Sequence, residues 1–205
     1  MELETVRIHP EEVADLIDPR THERDLSKHH VTDLISRAQT GKDPGPMPES
    51  VKDSGILALG RIWEYAARPL MDKLADREGL KVWYPGPMEA DGIVGSLDGV
   101  VMDLTGPAPV AVRILETKLR FSTRQEDPRD NWKYMHQQRS YCHLWSASGI
   151  GGPVRQSWMP VAHISNSPPG FQLRLHTITF SEKEIAETWQ MEKNTRDYVD
   201  SKEGE

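Results

Sequence analysis

Apolar residues recur along this chain with two periods, and the switches between them mark out its elements. Ile56, Leu59, Trp63, Ala66 and Leu70 fall at helical spacing. They predict a helix opened by a capping box, Ser50 with Asp53 three residues on. Pro69 either kinks that helix or starts a second segment. Leu80 to Tyr84 reads as a strand, and Ile93 to Asp103 as one long or two short strands around Gly95 and Gly99. Thr105-Gly106-Pro107-Ala108-Pro109 is a turn, and Val110 to Thr117 is a β-branched strand. Asp127-Pro128-Arg129-Asp130 reads as a helix start, with Asp as N-cap and Pro at the first position, for a helix running to about Ser146. Gly149 to Pro153 breaks the chain, and Ser157 to Ile164 and Phe171 to Phe180 follow as strands. Ser181 with Glu184 is a capping box for a last helix carrying Ile185, Trp189 and Tyr198.

The first fifty residues read differently. Pro10-Glu11-Glu12-Val13 starts a short helix, Asp25 or Ser27 caps another over Lys28 to Ala38, and Gly41 to Pro48 is a proline- and glycine-rich linker. The expected organisation is a helical extension and linker over 1–49 and one domain over 50–200, with a frayed tail over 201–205. The element order makes that domain mixed α/β, with a central sheet covered by helices.

Composition narrows the field without changing that outline. With 205 residues, 37 % hydrophobic and 28 % charged, the chain can bury a real core. No apolar run reaches the length of a membrane span, and Met1-Glu2-Leu3-Glu4 is not a signal peptide, so no membrane association and a cytoplasmic location are expected. The single cysteine, Cys142, excludes an intrachain disulfide and a cysteine-only metal site. A net charge of −7 argues against a generally basic surface, though not against a local basic groove.

The candidate chemistry sits at the end of the Val110–Thr117 strand. Glu116 and Lys118 are two apart, so on a strand both side chains leave the same face. Asp98 lies between Gly95 and Gly99, where the backbone can bend towards Glu116. Two carboxylates suit a divalent magnesium or manganese ion beside a phosphate. The compact charge of Lys118 suits holding a water and offsetting charge in a transition state. An ordinary surface Glu/Lys pair has the same spacing. Gln137 and Tyr141 stack at i, i+4 on a stripe with Tyr134 and Leu144, and a buried Gln137 needs a polar partner, either backbone or the site. Glu64 reads equally as a solvated helix carboxylate and as a further acid for the site. His136 and His143 line the same groove or are exposed, and the eight histidines form no convincing metal set.

In order along the chain, Gly60-x-x-x-Glu64, Asp98, Glu116-x-Lys118 and Gln137-x-x-x-Tyr141 resemble the PD-(D/E)xK nuclease superfamily. The nearest branch is the RecB-type and lambda-exonuclease-like nucleases of phages and bacterial recombination systems. The resemblance spans Gly60 to Tyr141 and implies a restriction-endonuclease-like αβββαβ core. It implies Asp98 and Glu116 as metal ligands with the Thr117 carbonyl as a third, and Glu64 in the place of an acidic residue that is often histidine in relatives. Lys118 would position or activate the water, and Gln137 and Tyr141 would support the lysine and touch the phosphate backbone. The implied cofactor is Mg2+ or Mn2+; with only Cys142 present, the iron–sulfur cluster of some relatives is not expected.

The implied activity is a metal-dependent deoxyribonuclease, foremost an exonuclease in recombination, repair or DNA processing. The alternatives are an endonuclease on duplex or branched DNA, or a non-catalytic DNA-binding module. DNA is the implied partner. A single-strand annealing protein, a helicase or a homo-oligomer rests on analogy alone, as does a host cytoplasm for a phage-encoded chain. From Arg113 to Arg139 seven basic residues face four acidic ones, a local +3 inside a chain of −7. Arg120 and Arg124 are the expected backbone contacts there. Trp132 and Tyr134 can stack on bases or pack in the core.

Overall fold

The computed structural model of the chain describes residues 55–121, 127–166 and 169–201. The expected extension over 1–49, the Ser50/Asp53 capping box, Arg124 and the tail beyond Ser201 lie outside them. Helix α1 (Gly55–Arg77) leads into β1 (Lys81–Trp83), the hairpin β2 (Gly86–Ala90) and β3 (Ile93–Leu97), then β4 (Gly99–Asp103) and β5 (Val110–Leu115). After β6 (Lys118–Phe121) come a one-turn 3-10 helix (Pro128–Asp130), α2 (Trp132–Ala147), β7 (Gln156–Asn166), β8 (Pro169–Thr179) and α3 (Glu182–Asp200).

The main sheet runs β1-β4-β5-β7-β6, with β8 also paired to β7; β5 and β6 lie parallel to β7 and the other pairings are antiparallel. Helix α1 covers one face, where Met71 and Ala75 meet Val101, Leu115 and Trp158. Helices α2 and α3 belong to the core of the other face, where Tyr141, Leu144, Trp145 and Trp189 join Ile114, Met159 and Val161. Alternation along β5 assigns successive residues to these two layers, which is why Ile114 and Leu115 fall in different clusters. The result is an α/β fold with a central mixed sheet flanked by helices. Among the described residues no helix is long and apolar enough to cross a membrane.

Four expectations need correction. The expected stripe of α1 is not its buried one: Leu59 is 42 % and Leu70 36 % exposed and Ala66 is exposed, whereas Ala67, Met71 and Ala75 are fully buried. Two of those three positions are alanine, which is too weakly apolar to mark that face in a hydrophobicity pattern. Pro69 lies inside one continuous 23-residue helix rather than dividing it. The Asp127 side chain caps only the 3-10 turn; Asn131, accepting from the Tyr134 amide at 3.3 Å, caps α2 itself. The hairpin β2–β3 was not expected at all. Its loop is Asp91-Gly92, with φ of 51° and 72°, the two-residue turn that Asp-Gly favours. The capping box at Ser181 forms as expected: its hydroxyl donates to Glu184 Oε2 at 2.7 Å and accepts from the Glu184 amide at 3.2 Å.

Candidate active site at the β5–β6 break

The expected strand to Thr117 is interrupted. β5 and β6 lie end to end along one edge of β7 in a single register, Leu115 opposite Trp158 and Lys118 opposite Val161. The Glu116 amide donates to the Trp158 carbonyl at 3.0 Å. At the register of the break β7 presents Pro160, which has no N–H to give the ladder. On the other side the β4–β5 pairing stops at Gly99 and Leu115. The Thr117 amide and hydroxyl turn instead to Asp98, each donating to Oδ2 at 2.7 Å. Asp98 is the one residue between β3 and β4, so the bend predicted near Gly99 falls on it.

The side chains divide into two groups. On the α2 side, Lys118 Nζ donates to Glu116 Oε1 at 2.6 Å and to Gln137 Oε1 at 2.8 Å. Gln137 Nε2 donates onward to the Tyr141 hydroxyl at 3.0 Å. Glu116 is 4 % exposed. Burial pulls the Lys118 pKa down, but attraction to Glu116, the hydrogen bond to it and the charge of Asp98 outweigh that, so the net shift is upward. Lys118 is therefore an ammonium at neutral pH. The Tyr134 ring lies 5.1 Å from Lys118 Nζ and 5.2 Å from the Arg120 guanidinium, a cation–π arrangement that holds both.

On the α1 side, a cleft of about 280 Å³ is lined by Glu64, Arg68, Tyr84, Ser96, Asp98 and Thr117, among others. Glu64 thus shares a wall with Asp98, while Glu116 and Lys118 are not part of it. Asp98 links the groups, bonded to Thr117 and felt by Lys118. Arg68 was missed. Its guanidinium stacks 4.6 Å from the Tyr65 ring and 4.5 Å from the Tyr84 ring. The available signal was its position four residues after Glu64, on the same helix face. Tyr84 is held well above its ordinary pKa, by burial first and then by the hydrogen bond to Asp72.

The two histidines of α2 pack against α3. His136 is fully buried, with Nε2 3.0 Å from Glu192 Oε1, which also accepts from Ser140. His143 stacks on Trp189 at 4.2 Å. Neither lines the groove.

No family model matches the sequence, and no curated protein does. Solved structures do. The chain superposes on LHK-Exo in complex with dAMP at 14 % identity, covering 98 % of this chain and 91 % of that one with a TM-score of 0.56. The structure of the alkaline exonuclease LHK-Exo from Laribacter hongkongensis matches with the same identity and coverage and a TM-score of 0.55. The chain shares the fold of this exonuclease. The fit of the site to a divalent cation is a matter of donor chemistry. Asp98, Glu116 and the Thr117 carbonyl are all oxygen donors, the set hard cations take. Thr117 engages one oxygen of Asp98, and Lys118 engages one of Glu116. By donor chemistry these residues suit such an ion. Among the described residues no three His, Cys, Asp or Glu side chains gather as a metal set.

Proposed function

We propose that the chain is a metal-dependent deoxyribonuclease, acting foremost as an exonuclease on DNA ends in recombination, repair or DNA processing. The observation that carries this reading is Lys118, a buried ammonium held between Glu116 and Gln137 beside Asp98. Fold likeness to an alkaline exonuclease supports it.

Asp98, Glu116 and the Thr117 carbonyl would hold Mg2+ or Mn2+, with Glu64 on the cleft wall. When bound, such an ion polarises a phosphate and lowers the pKa of a water. Lys118, bonded to Glu116, supplies a positive charge beside the carboxylates. It donates its one remaining N–H to the attacking water or to a phosphate oxygen, where negative charge grows in the transition state. Gln137, fixed by Tyr141, holds the ammonium in place. Arg120, stacked on Tyr134, touches the strand's backbone next to the cut; Arg124 is proposed for the same role.

The test is digestion of end-labelled linear DNA and closed circular DNA with Mg2+, Mn2+ or a chelator. Metal-dependent loss of linear DNA alone supports an exonuclease; nicked circles assign an endonuclease instead. Absence of metal-dependent cleavage on every substrate would leave only the non-catalytic module. Lys118→Ala is expected to lower the cleavage rate at least about a hundredfold while retaining most DNA binding. Wild-type cleavage by that variant would overturn the assignment.

A further inference from the structure

The sheet face that carries Lys118 continues across two more strands. Register places Lys118, Val161 and Arg174 in one row, Arg120, His163 and Gln172 in the next, and Met159 with His176 on the other side. Paired residues share a face, so Arg120, His163, Arg174 and His176 all leave the sheet on the side of Lys118. His163 is 3 % exposed, and neither ring nitrogen has a hydrogen-bond partner. A buried polar ring left so is costly. Burial first, then the charges of Arg120, Arg174 and His176, disfavour its protonation. One carboxylate, Asp127, acts on His176 and is itself ion-paired to Arg129 at 3.1 Å. Arg174 is exposed and makes no ion pair among the described residues. Like charges gathered around an unpartnered imidazole are relieved by one kind of ligand, an anion.

We infer that Arg174, with His163 at its base and Arg120 beside it, seats an uncut backbone phosphate of the DNA strand that Lys118 engages. The inference rests on the nuclease reading. Two strand spacings, about 10 Å, separate the Arg174 position from that of Lys118, so one DNA strand can reach both.

The test uses the full chain in chelator, without turnover, and a fluorescein-labelled duplex with one single-stranded end, titrated by anisotropy over a salt series. Arg174→Gln is expected to weaken binding several-fold and to reduce the slope of log affinity against log salt by about one. Arg174→Lys should restore the slope, since charge rather than shape sets it. His163→Gln should weaken binding as well, and Lys183→Gln on α3 should change nothing. A single methylphosphonate at the linkage seated by Arg174 should erase the difference between wild type and Arg174→Gln. An unchanged slope in Arg174→Gln, with wild type still cutting DNA, overturns this seat and leaves the nuclease reading standing. A wild type that neither binds nor cuts DNA overturns both.

Discussion

Lys118 occupies a position where burial and attraction oppose each other, and attraction wins. Because its folded pKa is raised, the stability it contributes is complete at neutral pH and is lost only as pH rises through that folded value. The stability difference between wild type and Lys118→Met, followed by thermal melts, should therefore be flat near neutrality and fall above about pH 10.5. Gln137 acts through Lys118. Gln137→Leu removes both the 2.8 Å bond to the ammonium and the 3.0 Å bond to Tyr141, and steady-state kinetics on linear duplex should show kcat falling about 10–100-fold. A wild-type kcat would show that Lys118 needs no such support. Glu116 and Lys118 were visible in the sequence because charged residues at the end of a β-branched run are conspicuous. Arg68 was not, because a helix arginine looks alike whether it faces water or a cleft.

Elements were legible where local chemistry decides them. The Ser181/Glu184 box needs only four residues, and it forms as read. The stripe of α1 misled because Leu59 and Leu70 are large apolar residues that stay exposed, while two of the three positions buried on the sheet, Ala67 and Ala75 beside Met71, are only weakly apolar. The contact between β3 and α2 is a matter of close approach. A Cβ on Gly95 would lie 2.6 Å from Leu144 Cδ1 and 2.8 Å from Tyr141 Cε1. Gly95→Ala should cost roughly 1–3 kcal/mol in urea unfolding, and it should lower cleavage too, since Tyr141 braces Gln137. Unchanged stability and activity together would mean that this helix can shift without consequence.

At the scale of the whole molecule, Cys142 reports on cooperativity. It is fully buried, and burial pushes its thiol up to about 12, so the native thiol is neither accessible nor ionised at pH 8. Labelling by a thiol reagent should be at least about a thousandfold slower in the native protein than in urea, tracking global opening. Comparable rates would reveal local opening of α2. The sequence by itself determined the mixed α/β class, the Ser181/Glu184 cap and the carboxylate–lysine pattern, because periodicity, capping and charge placement act over a few neighbouring residues. Only tertiary structure decided that Pro160 faces the Glu116–Thr117 break, that Asp98 bonds Thr117, and that Lys118, His163 and Arg174 share one face. Those facts depend on which strands pair and in what register, and register is set by long-range packing that no short stretch of chain encodes.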